Sequence, residues 1–365
     1  MERIMGVINL GNEKDSLGDL TKHRCQASVP FGGRYRLVDF TLSNFVKSGV
    51  RNVGVFARNY YRSLLDHLGS GKEWDLDRQK DGLFIMPYYS NESYKGDIQH
   101  FYDNLSYFER SKEEYILVTQ GSIVWNIDFR HVFEEHKKQG ADITLIYKDY
   151  IQEEKAVYHT LDVDENERVQ AVDLEKIVNQ GDNVFLNTYL MKKSLFIDLM
   201  KETYEQGNYD FFTDAIRANL ESYHVQGFHF KGYMPFIHSV ESFYNHSMNL
   251  LDENVLQQLF YNHGFIYTKV NHGPPAKYLQ SSQVVNSLIA NGCSIEGTVE
   301  NSILFRGVKV HKGAIIRNSI IMQKGEIGEG ALLENVILDK DVKVSKDRIL
   351  KGDEIPTVFA KSSHL

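Results

Sequence analysis

Three arginines and a histidine stand where an anion could be held. Arg24, Arg34 and Arg36 bracket the turn Pro30-Phe-Gly-Gly33, with His23 alongside. Guanidinium groups beside such a turn suit a sugar phosphate or a nucleotide, because the planar fork engages two phosphate oxygens at once. The competing reading is a solvated basic rim, or pairs with Asp39 and Asp66. Metal chemistry has less to work with. The 14 histidines include His67, His136, His224 and His229, yet no pair has the spacing of a helical metal motif. Cys25 and Cys293 are the two cysteines and lie far apart, which excludes a disulfide framework or a zinc site with paired thiolates and fits a reducing cytoplasm. The net charge of −8 offers no general attraction to a phosphate backbone, so nucleic acid is not an expected partner. No stretch approaches the length of apolar residues that a bilayer requires, so neither is a membrane.

The elements that must position these residues follow two grammars. Residues 4–8, 53–56, 116–119 and 143–147 are short apolar runs that read as buried strands, and between them lie helically spaced segments near 37–48, 98–108 and 129–139, the last closed by Gly140. Such alternation predicts a mostly parallel α/β sheet whose ligands sit beyond the carboxyl ends of the strands. The C-terminal part instead repeats Asn286-Ser-Leu-Ile, Asn301-Ser-Ile-Leu, Asn318-Ser-Ile-Ile and Asn335-Val-Ile-Leu, at steps of 15, 17 and 17. Ile315, Ile321, Ile327 and Leu333 recur every six residues with glycines between. One aliphatic side chain per six residues is what a three-faced parallel β-helix needs at its axis; a meander of hairpins is the alternative. The reading divides the chain into an α/β domain over 1–250, a connection over 251–284 and the β-helix over 285–365. An open end of such a solenoid needs a cap or a partner.

The run Val29-Pro-Phe-Gly-Gly-Arg-Tyr-Arg-Leu-Val-Asp-Phe-Thr-Leu-Ser-Asn44, followed by Ser48-Gly-Val50, resembles the N-terminal signature of the glucose-1-phosphate adenylyltransferases, or ADP-glucose pyrophosphorylases. The likeness continues through Glu175-Lys176, Asp210-Phe211, Gly232-Tyr233 and Pro274-Pro-Ala-Lys-Tyr278 into the hexapeptide tail, covering essentially the whole chain. The resemblance implies a Rossmann-like nucleotidyltransferase domain, a left-handed parallel β-helix and assembly as tetramers. It implies attack of a sugar phosphate on the α-phosphate of ATP with Mg²⁺, chemistry that rests on positioning and charge neutralisation. It also places Arg24, Arg34, Arg36 and His23 near the family's effector site, and Glu175, Lys176 and Asp210 at a vestigial glucose-1-phosphate pocket.

The same resemblance marks departures. Where the family carries a glycine-rich, arginine-bearing loop, this chain reads Asn9-Leu-Gly-Asn-Glu-Lys-Asp-Ser-Leu17, so Glu13 and Asp15 place negative charge where a triphosphate would lie. A family lysine is Gln26. The two metal carboxylates are expected at Ser122 and Phe236, neither of which carries that charge. Phe185 and Asn187 replace the serine and glycine of the sugar pocket. The pattern resembles GlgD-type subunits, and implies a catalytically impaired, regulatory chain, itself without a metal, that associates with an active GlgC-type partner using Mg²⁺. Two other functions compete: an active nucleotidyltransferase with Asp97 or Asp128 recruited to Mg²⁺, and a hexapeptide acyltransferase, for which His311 is the candidate base but stands without a supporting motif.

Overall fold

The computed structural model describes residues 4–11, 16–89, 93–152 and 155–365; Glu13 and Asp15 lie outside them. Short helical turns aside, the N-terminal part runs β1 (Ile4–Asn9), the hairpin β2 (Pro30–Phe31) and β3 (Tyr35–Arg36), α1 (Leu37–Lys47), β4 (Asn52–Ala57), α2 (Arg62–Leu68), β5 (Gly82–Pro87), α3 (Asp97–Asp103), α4 (Leu105–Arg110) and β6 (Tyr115–Gln120). It continues with α5 (Phe129–Gln139), β7 (Ile143–Asp149), β8 (Val157–Val163), β9 (Val169–Ile177), β10 (Asn183–Lys192), α6 (Lys193–Glu205), β11 (Val225–His229), α7 (Val240–Met248) and α8 (Glu253–Phe260). The strands form one sheet in the order β11-β7-β10-β6-β1-β4-β5, with β8 and β9 as an antiparallel ribbon beside β10. Pairing is parallel except at β10, which runs against both β6 and β7.

Strands β1, β4 and β6 are apolar without alternation because helices cover both faces of the sheet. Val38, Leu42 and Phe45 of α1 pack on one face with Phe129 and Val132 of α5; Phe101, Phe108 and Phe196 fill the other. The fit is close at Gly6, where a Cβ would come 2.7 Å from the Phe45 ring. Glycine there lets α1 settle onto β1. Topology and helix placement leave the carboxyl ends of β1 and β6 side by side, with Asn9 opposite Gln120.

The C-terminal part consists of three five-stranded sheets, every pair of which is parallel, as in a β-helix and unlike a meander of hairpins. Stacked residues are 17 apart for most of its length: Val299 on Ile316 on Leu333 on Leu350, and Leu304 on Ile321 on Leu338. One expected axial residue is displaced. The strand Ile315–Arg317 is centred on Ile316, which is fully buried, and Ile315 is only half-buried, because in a three-residue strand the middle side chain alone faces inward. The repeated asparagines Asn286, Asn301, Asn318 and Asn335 all occupy positive φ, between 42° and 53°, turning the same corner of successive coils. The first coil strand is Lys277–Tyr278, paired with Ser294–Ile295, inside the segment read as a connection. Coil pairing therefore begins at Lys277, earlier than a boundary at 285.

The two parts share a core. Phe31, Phe40, Phe243, Leu250 and Phe260 of the α/β part pack with Ile303, Phe305, Ile320 and Ile337 of the solenoid. Among the described residues, no helix is long and apolar enough to cross a membrane.

Candidate functional site

A cleft of about 710 Å³ opens beyond β1 and β6, lined by Asn9, Asp97, Gln120, Ser122, Glu175, Tyr189 and Asp210 among others. Its centre is a carboxylate pair. Asp97, the first residue of α3, is 4% exposed; its Oδ2 accepts from Asn9 Nδ2 (2.8 Å) and its Oδ1 from the Phe211 N–H (2.9 Å). Asp210 caps a π-helical turn over Phe211–Ile216, accepting from the Thr213 N–H at 2.7 Å. Burial, and then the charge of Asp210, push the Asp97 carboxyl up to about 7. Asn9 Oδ1 also accepts from the Gly11 N–H (3.0 Å), and the Tyr94 hydroxyl lies 2.0 Å from where a Cβ on Gly11 would stand. Arg58 stacks over the Tyr94 ring at 4.3 Å.

The expected sugar-phosphate pocket is divided. Glu175 lines the cleft at the positive φ of 48°, a bulged position in β9. Lys176 is not part of the lining; its ammonium pairs with Asp182 at 3.1 Å and Asp173 at 3.9 Å. Alternation along a strand sends neighbours to opposite sides, so the two halves of one motif part company. Phe185 stacks on Phe212 with ring centroids 4.1 Å apart and forms part of the cleft wall. Asn187 keeps a positive φ of 47° at a bulge in β10, the conformation that asparagine tolerates best after glycine.

The two positions expected to carry the metal carboxylates do not supply them. Ser122 contributes a hydroxyl to the cleft, and Phe236 is a buried ring packed on Tyr150 and Tyr158 at 5.2 and 5.3 Å. Gln26 also lines the cleft, its amide directed to the Ile237 carbonyl at 3.5 Å. Asp128 lies elsewhere: it caps α5 and chelates Arg130 in a separate depression. Among the described residues, no group of three or more His, Cys, Asp or Glu side chains is arranged to hold a metal ion.

The basic residues divide too. Arg24 is 3% exposed and reaches across the domain junction to Asp339 of the solenoid, Nη2 to Oδ2 at 2.5 Å, while its Nη1 is buried without a hydrogen-bond partner. Arg36 donates to the Ser63 carbonyl at 2.6 Å and hydroxyl at 2.9 Å. Lys340, next to Asp339, is held down to about 7 by burial and then by Arg36 and Arg24, which places the three cations in one neighbourhood. Asp39 does pair, but with His67 (2.5 Å) and the Arg36 N–H. Arg34 stands apart, on the Tyr35 hydroxyl at 2.7 Å, and His23 is exposed. His311 is exposed and bonded to Glu326 at 3.0 Å. Sequence reasoning missed Asp339 and Lys340, whose nearness to Arg24 is made only by the coil stack, and missed Tyr94 and Tyr189, two of many tyrosines with no motif around them.

The nucleotidyl transferase family model matches residues 11–253, and a GlmU-like C-terminal hexapeptide model matches 274–354. The glycogen biosynthesis protein GlgD of Bacillus subtilis is 41% identical over 364 residues, covering 98% of this chain and 96% of the relative. The chain belongs to the ADP-glucose pyrophosphorylase family. Within that family, Geobacillus stearothermophilus allows a direct comparison. Its GlgD is 42% identical (86% of this chain, 83% of the relative), whereas its glucose-1-phosphate adenylyltransferase is 33% identical (87% and 84%). The chain is thus a GlgD homologue, related at greater distance to the adenylyltransferases.

Proposed function

We propose that this chain is a catalytically impaired, regulatory subunit of a cytoplasmic glucose-1-phosphate adenylyltransferase of bacterial glycogen biosynthesis. It joins an active homologue in a hetero-oligomer, a tetramer, and modulates that partner, which makes ADP-glucose and pyrophosphate from ATP and glucose-1-phosphate with Mg²⁺. The observation that carries this reading is Phe236: a buried aromatic ring at the position expected to hold a metal carboxylate. Each transition-state contact removed costs a few kcal/mol, and about 1.4 kcal/mol is tenfold in rate. The cluster of buried Arg24 with half-buried Arg36 and Lys340 supports an effector role, because an incoming phosphate would relieve the mutual repulsion of the cations and satisfy the Arg24 Nη1 donor. Regulation then works through different contacts in two states of the partner.

The test is ADP-glucose synthesis by this chain alone, by its catalytic homologue alone and by the co-purified pair. The chain is expected to be silent alone and to change the partner's rate or effector response, and Arg36→Gln in this chain is expected to weaken the response to a phosphate effector. Turnover by the isolated chain at a rate comparable to the partner's overturns the reading.

A further inference from the structure

The three sheets of the solenoid turn different faces outward. One carries Ile303, Ile320 and Ile337 into the core shared with the α/β part. A second presents the charged column Lys309, Glu326 and Lys343. The third is built from Thr298–Glu300, Ile315–Arg317, Leu332–Glu334 and Ile349–Lys351, with Gln283–Val285 before them; the middle residue of each strand faces the axis and the residues on either side of it face outward. Its leading column turns apolar: Ile315, Leu332 and Ile349 stack in register, the last 63% exposed and the other two half-buried, and none of them is part of a core. Its trailing column alternates in sign through Glu300, Arg317, Glu334 and Lys351, with Arg317 Nε on Glu300 at 2.8 Å and Lys351 Nζ on Glu334 at 2.9 Å. A contiguous apolar column rimmed by charge is the pattern of an interface rather than of scattered exposure.

We propose that this face pairs with the same face of a second copy of the chain, the coils running in opposite directions, about a two-fold axis that lies along the strands between the coils of Arg317 and Glu334. Such a rotation keeps each residue's position along the strand and reverses the order of the coils. The apolar columns therefore meet, with Ile315 against Leu332 of the second copy. The order negative, positive, negative, positive meets its own reverse, which sets Glu300 opposite Lys351 and Arg317 opposite Glu334, each twice. A two-fold axis along the solenoid would instead set the charged column against the apolar one and desolvate charges without partners. A different protein would have to carry the same alternation in reverse; a second copy supplies it by symmetry alone. Six residues per side at about 3.3 Å, and five strands about 4.8 Å apart, make a face of roughly 500 Å². Two copies then cover about 1,000 Å² in all, the size at which specific but weak interfaces begin. The proposal stands apart from whether the chain regulates a partner, since it concerns self-association of the purified protein.

Sedimentation velocity of the purified full chain across the micromolar range is expected to show a doubling step of assembly. Arg317→Glu and Glu334→Arg are each expected to weaken that step at least about tenfold, since each sets two like-charged pairs across the axis. Their melting temperatures are expected to stay close to the parent's, because the ion pairs they break are exposed. Mixed in equal amounts, the two variants are expected to associate again: one brings only negative charge to the two central positions and the other only positive, so unlike copies pair where like copies repel. A chain that stays monomeric throughout, association unchanged in both folded variants, or a mixture that fails to recover what each variant lost would each overturn the proposal. So would association that appears only when a catalytic homologue is added, which assigns the face to a different partner.

Discussion

Asp97 shows how one side chain can be kept at a cost. Its carboxyl is protonated more readily in the folded protein than in the unfolded chain, since burial and Asp210 raise it from an ordinary 3.8 to about 7. The folded state therefore holds the extra proton between those values, and stability falls as pH rises through that window. Asp97→Asn removes the cost. The variant's melting temperature relative to the parent is expected to be lowest near pH 4 and to increase up to about pH 7, after which it levels off. Thermal melts of both proteins across that range check this, and a constant difference would show that the carboxyl does not titrate there. The two oxygens of Asp97 accept from Asn9 and from the Phe211 N–H, so the residue also ties the end of β1 to the π-helical turn.

At the scale of elements, the solenoid is a stack of corners. Asn318 turns one of them at a φ of 45°, and its carbonyl accepts from the Tyr244 hydroxyl of α7 at 2.8 Å. Asn318→Gly keeps the backbone conformation and is expected to change stability little, whereas Asn318→Val is expected to cost about 1–2 kcal/mol, because a β-branched residue is strained in the left-handed region. Denaturant midpoints for the pair distinguish this from loss of a side-chain contact, which would penalise both equally. The coil repeat was legible in the sequence, but its turns were expected at the intervening glycines and the corner role of the asparagines was not read; the strands of the α/β part were legible because burial on both faces leaves unbroken apolar runs. The axial phase at Ile316 was not legible, since two adjacent isoleucines satisfy the six-residue spacing nearly as well and only pairing with Val299 and Leu333 chooses between them. In the cleft, the uncharged side chains of Ser122 and Phe236 could be read from local motifs. The divergence of Glu175 and Lys176 could not, because it depends on strand alternation and a bulge.

At the scale of the whole molecule, the junction between the two parts holds an ion pair and an apolar core. Arg24 and Asp339 are almost completely buried, 315 positions apart in sequence. Asp339→Ala leaves a guanidinium in the interior with no counter-charge, beside Arg36 and Lys340, and is expected to destabilise the protein by about 3–5 kcal/mol. Asp339→Asn, which keeps an acceptor, is expected to lose less, and chemical denaturation of the two variants would reveal a mistaken assignment if both behaved like the parent. The shared core has a further consequence. Phe31, Phe243 and Phe260 cannot separate from Ile303, Phe305 and Ile320 without exposing all of them to water, so neither part has a private interior on that side. A neighbour pressed against this side of the coils would therefore load the same side chains that back the α/β part.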